Sequence, residues 1–427
     1  MTDTRETSCA SDFETDALSV DDARIKIYDE IKPITGTEKL SLRKCLQRFL
    51  AEDISSPINV PSHINSAMDG YAIAGKDLPS DGEKSYHVIG TSFAGTPSDK
   101  IYQTGQAVRI MTGGVLPKGT DTVIMQEMVE LSADKSSITI QAEHQQGQNV
   151  RLPGEDIAKD HLLFSAGRKF SAADLGILAS LGICECRVYR KPRVAFFSTG
   201  DELRSVGDIL EKGQIYDSNR YTLFAMLKQI DVEILDMGVV RDTPDAIKEA
   251  MIEASEMADI VITSGGVSVG EADYIKPTLN DLGTTIFKKI RMKPGRPLTF
   301  GRINNTRGQS WLFGLPGNPV AVMITFLQFV QPAIQYISSG KKTTFFTIKA
   351  TTQDKVYKRP GRTEFQRGIF KQKENGEIVV KRTGRQGSGI LTSMSIANCF
   401  ILLAEDSASI EEGDTVEILP FSGSISS

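Results

Sequence analysis

Cysteine and histidine are scarce in this chain, and neither is arranged as a zinc or redox site requires. The five cysteines among 427 residues are scattered, and the one close pair, Cys184 and Cys186, lacks the CxxC spacing. The four histidines show no HxH or HExxH spacing. These absences argue against a zinc enzyme and predict reduced thiols in a cytoplasmic protein.

Excess positive charge and long apolar runs are also missing. The formal net charge is −5, which argues against nucleic acid as a partner. No stretch reaches the roughly 18 uninterrupted apolar residues of a membrane span, so no membrane partner is expected. Residues 1–17 are polar and acidic, without the features of a signal or transit peptide, and are expected to form a disordered tail.

The hydrophobic periodicity instead predicts a multidomain protein with both α/β and β parts. The length allows two to four domains. Three helices are predicted near the start of the chain and after the first β-rich section: 19–31, 42–51 and 171–181. Between them, residues 54–150 have short apolar runs that alternate with Gly, Pro, Asp and Ser, as in a β-rich unit.

From residue 191 onwards the pattern alternates between strand and helix. The predicted strands are 193–197, 232–236, 259–263, 298–301 and 311–314, and the predicted helices are 219–230, 242–257 and 318–338, with another after Glu271. This alternation predicts a mostly parallel sheet covered on both faces. After residue 342 the helical period disappears, and strands over 343–352, 364–371, 378–382 and 400–403 predict a C-terminal β domain.

The most informative segment is the loop that follows strand 259–263. Gly265 and Gly266 allow the backbone to approach a ligand and to turn its N–H groups towards an anion. Ser264 and Ser268 add hydroxyls, and Glu271 and Asp273 add carboxylates. The segment therefore predicts a phosphate site beside a divalent cation, although a tight turn with acidic helix caps would have the same letters.

Similar loops follow other predicted strands of the α/β unit. They are 198–203, 293–297 and 314–319, and residues 213–219 are a further candidate segment. Ligands bind at the carboxyl ends of strands in such folds, so these loops are expected to converge on one anion site. Turn formation or helix capping remains the alternative for each loop taken alone.

Local charge and glycine-rich turns indicate further binding segments. Basic residues cluster at 288–296, beside a rigid Pro-Gly loop, which suits an anionic substrate, although a solvated face is the usual explanation of such a run. Residues 65–72, 111–114 and 151–156 have small or glycine-rich turns that allow either a structural or a binding role.

Taken together, these segments resemble the molybdopterin molybdenumtransferase family, which includes bacterial MoeA and the E domains of gephyrin and of its plant counterpart. The resemblance covers roughly residues 19–421. The matching motifs, in chain order, are NSAMDGYA, MTGGVLPKGTDTVI, RLPGEDI, STGDEL, YDSN, TSGGVSVGEADY, MKPGRP, GLPGNPVA and RPGRTEFQRG. The STGDEL form is more similar to the bacterial branch.

The resemblance implies an elongated homodimer with several domains in each protomer. After the tail of residues 1–17, residues 18–55 and 156–188 would form a discontinuous dimerisation domain with an inserted β-rich domain, 56–155. Residues 189–340 would form an α/β domain similar to molybdopterin adenylyltransferase, and 341–427 a C-terminal domain similar to a β-barrel. A partner adenylyltransferase and downstream proteins that handle the cofactor are possible further partners.

The activity implied is insertion of molybdate into adenylylated molybdopterin, with Mg²⁺ as cofactor and AMP as a product. The resemblance implies catalytic roles for Asp69, Glu202, Asp242 and Asp273, with Glu202 and Asp273 as metal ligands, and molybdate binding by Lys289, Lys293, Arg362 and Ser388. It implies substrate binding by Thr112, Gly113, Thr199, Gly200, Asp217, Ser218, Asn219, Ser264, Gly265, Gly266, Ser268, Lys293, Arg296, Pro316, Gly317 and Asn318.

Two other functions remain open at this point. The first is a non-catalytic scaffold, since gephyrin uses this fold to cluster receptors. The second is another nucleotide-handling enzyme with the same α/β unit, such as the adenylyltransferase itself. For Asp242, capping of the helix that follows is an equally good explanation.

Overall fold

The computed structural model describes residues 16–266 and 274–421, and these residues form two compact units. The first unit comprises the described parts of Met1–Glu38, Gln47–Phe49 and Tyr189–Ser427. The second comprises Lys39–Leu46 and Leu50–Val188. The expected disordered tail falls mostly outside the described residues, and the domain boundaries remain predictions.

A six-stranded mixed sheet forms the centre of the first unit. In spatial order its strands are Glu233–Val240, Arg193–Thr199, Ile260–Ser264, Gly308–Leu315, Pro297–Asn305 and Gly283–Lys289. The first four run parallel to one another, which confirms the predicted mostly parallel sheet. Pro297–Asn305 runs antiparallel to both of its neighbours, since Asn305 pairs with Gly308 and the chain reverses over two residues, whereas Gly283–Lys289 runs in the same direction as the first four strands. The strand Gly283–Lys289 was not predicted.

Alternating apolar residues bury both faces of this sheet. Val194 and Phe196 face a core shared with the helices Val20–Glu30, Ser218–Lys228 and Pro319–Thr325. Ala195 and Phe197 face the opposite core, shared with the helices Pro244–Met257 and Ile275–Leu282. Burial of such β-branched and aromatic side chains is the main source of stability for the sheet.

The predicted long helix from residue 318 to residue 338 is confirmed. It consists of an α-helix, Pro319–Thr325, a π-helical turn, Phe326–Val330, and a second α-helix, Gln331–Ser339. Its length and mean hydropathy of 1.5 would suffice to cross a membrane, but 78% of its most apolar window is buried inside the protein. It is therefore placed as the core helix of a folded unit would be.

A closed five-stranded barrel ends the first unit, as predicted. Its strands are Ile348–Thr352, Thr363–Gln372, Ile378–Arg382, Cys399–Leu403 and Thr415–Pro420, with a short helix at Thr392–Ile396. Closure comes from the pairing of Thr363–Gln372 with Cys399–Leu403. The prediction that the first strand begins at residue 343 is wrong, because 343–347 are irregular.

The second unit contains another six-stranded sheet. Its strands, in spatial order, are Thr122–Met125, Gly70–Ile73, Gln106–Ile110, Glu83–Ser92, Ser137–Gln141 and Glu130–Leu131. The predicted helix over 171–181 is confirmed as Ala172–Ser180, with a capping box between Ser171 and Asp174. Its Leu178 packs with Cys45 and Phe170 in a separate apolar cluster.

The helix predicted over 42–51 is wrong beyond its first turn. Only a 3₁₀-helix, Leu42–Cys45, forms. Gln47 has a left-handed backbone with φ of 65°, which interrupts a helix. The backbone N–H groups of Leu50 and Ala51 then donate to the carbonyls of Arg168 and Arg187. Pairing with distant segments therefore overrides the local helical preference.

The remaining elements are short. The strands are Thr37–Ser41, Ile54–Ser55, Asn65–Ser66, Val150–Arg151, Leu162–Phe164, Glu185–Tyr189, Leu203–Arg204, Ile215–Tyr216 and Met292–Lys293, and the 3₁₀-helices are Gly75–Asp77 and Gln126–Met128.

Gly70 lies where a side chain has no room. It begins a central strand of the second unit, and a Cβ atom there would lie 2.0 Å from the carbonyl oxygen of Ile124. Gly90, in the strand Glu83–Ser92 of the same sheet, would place a Cβ no closer than 3.6 Å to the Lys100 side chain. A side chain would therefore clash with the backbone at Gly70 but not at Gly90.

We expect Gly70→Ala to lower the thermal midpoint of the second unit, because the strands must separate to admit the methyl group. Overpacking of this kind costs about 1–3 kcal/mol, and a clash with backbone belongs at the upper end. Thermal melts followed by far-UV circular dichroism measure the shift, with Gly90→Ala as the matched control. Equal midpoints for the two variants would contradict this account.

A bidentate ion pair closes the amino-terminal edge of the sheet in the first unit. Both guanidinium Nη atoms of Arg190 lie 2.8 Å from the Asp259 carboxylate, which also accepts from the Arg193 backbone N–H. Burial alone would raise the pKa of Asp259, but these hydrogen bonds outweigh it and hold the pKa below its ordinary value of 3.8. The sole tryptophan, Trp311, lies in the adjacent strand and donates its backbone N–H to the Asp259 carbonyl.

Because the folded-state pKa of Asp259 is depressed, its stabilising contribution is complete above the unfolded value of about 3.9 and disappears as the pH falls through the folded-state pKa. We expect Asp259→Asn to lower the free energy of unfolding by about 1–3 kcal/mol at pH 7 and by less at pH 3. Urea denaturation followed by Trp311 fluorescence checks this. Glu233→Gln, in the exposed pair with Arg193, is the control and is expected to change little. A deficit that is the same at both pH values would contradict the assignment.

Candidate functional site

The parallel strands of the first unit end at one level, and this brings the predicted loops together. Thr199 pairs with Val240, and Ser264 pairs with Ser198 on one side and Leu315 on the other. The loops that begin at residues 200, 241, 265 and 316 therefore leave the same edge of the sheet. This edge, where parallel strands present their carboxyl ends, is the usual ligand position in an α/β fold.

Glycines allow these loops to touch through their backbones. Gly265 has φ of 90° and Gly266 φ of 65°, both in the left-handed region that favours glycine. A Cβ on Gly265 would lie 2.3 Å from the Thr199 carbonyl oxygen, and one on Gly266 would lie 2.7 Å from Thr199 Oγ1. A Cβ on Gly317 would lie 3.9 Å from the Cα of Gly265. The three loops thus form one surface.

The helix Ser218–Lys228 begins beside these loops. Asp217 is its N-cap and accepts a hydrogen bond from the Arg220 N–H at 3.1 Å. Asn219 donates from Nδ2 to the Gly317 carbonyl at 2.7 Å, which joins the first turn of this helix to the Pro316–Asn318 loop. The positive end of the helix dipole at residues 217–219 therefore faces the strand ends.

Several buried polar atoms at this edge have no hydrogen-bond partner within residues 16–266 and 274–421. They are the hydroxyls of Ser198, Thr199, Thr263 and Ser264, with Asp217 Oδ2 and Asn219 Oδ1. Each unsatisfied buried group costs about 1–3 kcal/mol, so such a cluster indicates a ligand. The hydroxyls suit the oxygens of an anion, whereas the carboxylate and amide oxygens suit N–H or O–H donors of a heterocycle or sugar.

Two predicted acids lie at the same edge. A Cβ on Gly200 would lie 2.6 Å from Glu202 Oε2, so this exposed carboxylate folds back over Gly200. Asp242 is half-buried, and its backbone N–H donates to Asp201 Oδ1 at 3.4 Å. The capping alternative for Asp242 is wrong, because Thr243 is the N-cap of the helix that follows.

Glu202 is a carboxylate at this edge that could bind a cation. A hard cation such as Mg²⁺ prefers oxygen ligands, which a carboxylate and nearby hydroxyls supply. No group of three His, Cys, Asp or Glu side chains comes together within 16–266 and 274–421. Ser268, Glu271 and Asp273 lie outside the described residues.

The residues predicted to bind molybdate lie where the barrel meets the sheet. Met292 and Lys293 pair in parallel with Thr363 and Glu364, which places Lys293 close to Arg362 along the ladder. The Ser388 carbonyl accepts from the Val320 N–H at 3.1 Å, at the start of the helix after Gly317 and Asn318.

Two further basic residues flank this junction. Lys289 pairs with Pro297 across the loop of residues 293–296. The Ile290 backbone N–H donates to the Arg296 carbonyl. These basic residues therefore lie next to the strand-end loops in space.

The second unit has its own small polar site. Asp69 Oδ1 accepts from the Thr112 N–H at 2.7 Å and from Thr112 Oγ1 at 2.8 Å. Both hydrogen bonds hold the pKa of Asp69 below its ordinary value, and the one from the Thr112 backbone N–H has the larger effect. The Gly113 N–H donates to the Ser66 carbonyl, so the predicted residues Asp69, Thr112 and Gly113 lie together.

Two contributors were missed when the sequence was read alone. Ser198 and Asp201 were predicted only as members of the loop 198–203, without a role of their own. The pairing of Ser198 with Ser264 places both hydroxyls on the same face of the sheet, so strand alternation was the available signal for Ser198. Nothing in the spacing of Asp201 and Asp242 predicts their hydrogen bond.

Comparison with known proteins identifies the family. Models of the MoeA N-terminal region, a probable molybdopterin-binding domain and the MoeA C-terminal region match residues 18–182, 195–336 and 349–421. A molybdopterin molybdenumtransferase from Haemophilus influenzae is 44% identical over 95% of this chain and 98% of its own length. Gephyrin from Dictyostelium discoideum is 32% identical over 94% of this chain and 62% of its own length.

Solved structures agree with the sequence comparisons. The molybdopterin biosynthesis moeA protein from Pyrococcus horikoshii superposes with a TM-score of 0.81 at 30% identity, covering 95% of this chain and all of that one. Matches of this extent, together with the strand-end site, show that the chain belongs to the molybdopterin molybdenumtransferase (MoeA) family.

Proposed function

We propose that this protein is a molybdenum insertase, a cytoplasmic transferase that inserts molybdate into adenylylated molybdopterin and releases AMP. The observation that supports this most directly is a set of buried polar atoms, without partners within residues 16–266 and 274–421, where three glycine-bearing loops meet. These groups require a ligand with both anionic oxygens and polar hydrogens, as an adenylylated pterin has. The names of the relatives, molybdopterin molybdenumtransferase, are consistent with that substrate.

The strand-end loops would hold the substrate through its phosphates. The N–H groups at Gly265 and Gly266 and at the start of the helix Ser218–Lys228 suit phosphate oxygens. Asp217 and Asn219 each have one oxygen without a partner in the described part of the chain, and these oxygens suit the polar hydrogens of the pterin or adenosine. Thr199 and Ser264 lie at the sheet edge itself, so they would bind the substrate between these two sets of groups.

Glu202 and Asp273 would hold Mg²⁺. When bound, this ion neutralises charge on the phosphoanhydride and on the departing AMP. Lys289, Lys293, Arg362 and Ser388 would hold molybdate at the junction between sheet and barrel. Asp242, fixed through its N–H by Asp201, would orient the reacting groups. Water would attack the phosphoanhydride, whose bond to the AMP phosphate would break. The two dithiolene thiols of molybdopterin would form Mo–S bonds, while one molybdate oxygen would leave as water with the two thiol protons.

We further propose that the enzyme acts as a homodimer in which Asp69 and Thr112 complete the partner's site. Asp69 is ionised and oriented by two hydrogen bonds although it lies at the surface of its unit. A surface carboxylate held this rigidly suits a polar contact with a ligand bound elsewhere.

AMP release is the direct test of the reaction. The purified protein is expected to release AMP from adenylylated molybdopterin only when both Mg²⁺ and molybdate are present. Glu202→Gln is expected to reduce the rate by roughly 10²-fold or more, because it removes a carboxylate ligand from the metal. Glu211→Gln changes an exposed glutamate of the same loop region and serves as the control. Substrate binding without molybdate-dependent AMP release would refute the insertase function and favour a binding role.

Mixed dimers test the contribution of the partner subunit. Asp69→Asn and Glu202→Gln homodimers are each expected to be nearly inactive. If each site combines Asp69 of one protomer with Glu202 of the other, a heterodimer of the two variants regains one intact site. Random exchange should then recover roughly a quarter of wild-type activity. Recovery of no activity, with exchange verified by mass spectrometry, would show that Asp69 does not act across a dimer in this way.

A further inference from the structure

An exposed arginine stands beside the small polar site of the second unit. Arg109 lies in the strand Gln106–Ile110, directly opposite Tyr71 of the neighbouring antiparallel strand. Asp69 comes two residues before Tyr71, so continuation of this register makes Asp69 a diagonal neighbour of Arg109. Side chains alternate between the two faces along a strand, and both residues therefore belong to the same face of the sheet. A side chain as long as that of arginine can span this diagonal.

Arg109 and Asp69 interact through their charges without forming an ion pair. Two hydrogen bonds from Thr112 lower the pKa of Asp69, and the positive charge of Arg109 lowers it further. Both hydrogen bonds end on Asp69 Oδ1, which leaves Oδ2 open to another donor. Within residues 16–266 and 274–421, the Arg109 guanidinium has neither an ion pair nor a hydrogen bond. The two groups are therefore close enough to act together and still open to a ligand.

An ionised Asp69 creates an electrostatic difficulty for the site that it is proposed to complete. The substrates of that site, a phosphoanhydride and molybdate, are both anions. A carboxylate beside an anion raises the free energy of the complex unless a cation lies between them. Thr112 is neutral and cannot offset this repulsion. Arg109 is a cation of the same surface, and it can reach the space in front of Asp69.

The guanidinium has the geometry for this bridging position. It is planar and carries five N–H donors in a fixed fork. One edge can donate to Asp69 Oδ2 while the other donates to two oxygens of a phosphate. Because the Arg109 side chain is exposed, it can take up this orientation without breaking a contact of the described chain. Asp69 would then hold the arginine and would not touch the anion itself.

We propose that Arg109, oriented by Asp69, binds a phosphate of the nucleotide held in the partner subunit's site. This assignment rests on the proposed homodimeric insertase. It makes Arg109 a contact of the substrate and Asp69 a positioning residue. When water attacks the phosphoanhydride, the guanidinium would stabilise the negative charge that develops on the phosphate oxygens.

Phosphate, rather than molybdate, is the anion that needs this cation. The proposed molybdate set already has three cationic side chains, Lys289, Lys293 and Arg362. The strand-end loops instead offer the phosphates hydroxyls and backbone N–H groups, which are neutral. A guanidinium from the partner would therefore add a positive side chain, besides the metal ion, where the phosphates are proposed to bind.

AMP binding tests the contact without requiring turnover. In equilibrium dialysis of the full-length protein with AMP and Mg²⁺, Arg109→Gln is expected to raise the Kd roughly tenfold, because a charge-assisted hydrogen bond disappears. Arg109→Lys keeps the charge without the planar fork and is expected to fall between the wild type and Arg109→Gln. Arg43→Gln removes another exposed arginine of the second unit and is the control. Circular dichroism verifies the fold of each variant. Equal AMP affinities for Arg109→Gln and Arg43→Gln would overturn the proposal.

Steady-state kinetics identify the anion that Arg109 contacts. Arg109→Gln is expected to raise the KM for adenylylated molybdopterin about tenfold and to leave the KM for molybdate unchanged. A rise in the KM for molybdate alone would overturn the assignment to phosphate. If the wild type releases no AMP, the insertase function fails, whereas weaker AMP binding by Arg109→Gln would still support a contact with a nucleotide phosphate.

Mixed dimers show in which subunit's site Arg109 acts. At low substrate concentration, random exchange of Arg109→Gln with Glu202→Gln protomers is expected to recover roughly a quarter of wild-type activity, because each heterodimer has one intact site. Exchange of Arg109→Gln with Asp69→Asn protomers is expected to recover nothing beyond the mean of the two homodimers, since each site carries one change. Recovery in the second mixture and not in the first would place Arg109 in the site of its own protomer and overturn the proposal.

Discussion

The backbone contact between Gly265 and Thr199 is the constraint on which the candidate site depends. Two strand ends can lie this close only because Gly265 lacks a Cβ atom, which would meet the Thr199 carbonyl at 2.3 Å. The contact draws the loops after neighbouring strands into one surface and leaves the Ser198 and Ser264 hydroxyls beside each other. A side chain at this position would fill the space and separate the loops, so the same residue determines both the local packing and the opening for a ligand.

Buried polar atoms that lower the stability of the first unit are distributed unevenly over its sheet. The centre of the sheet is fully apolar, with Phe196, Phe300 and Phe313 buried completely. Buried polar atoms that lack partners among the described residues lie instead at the strand ends. Natural proteins tolerate such groups where a ligand satisfies them, and a well-packed core offsets their cost in the absence of the ligand. Stability and binding therefore depend on different layers of the same sheet.

The sequence alone predicted the elements whose structure depends on a local pattern of residues. The apolar, β-branched run at 259–263 predicted a buried strand, and the glycines after it predicted the loop. The direction of Pro297–Asn305 and the presence of Gly283–Lys289 could not be predicted, because strand pairing depends on distant segments. The choice of Thr243 rather than Asp242 as the helix cap depended on backbone angles. Arg367 is buried and forms no ion pair with a carboxylate of the described residues, and this could not be inferred, since a sequence does not show which acids lie near a buried base.

The position of the one tryptophan has a practical consequence. Trp311 is buried, with its ring stacked 5.6 Å from that of Phe300, and it pairs with Ile260 at the start of the parallel strands. It therefore lies several residues from Leu315, where the strand meets the ligand loops. Its fluorescence is an intrinsic reporter of the first unit alone, whereas the circular dichroism signal has contributions from both units. A difference between the two unfolding curves would reveal how independently the two parts of the chain melt, without any label.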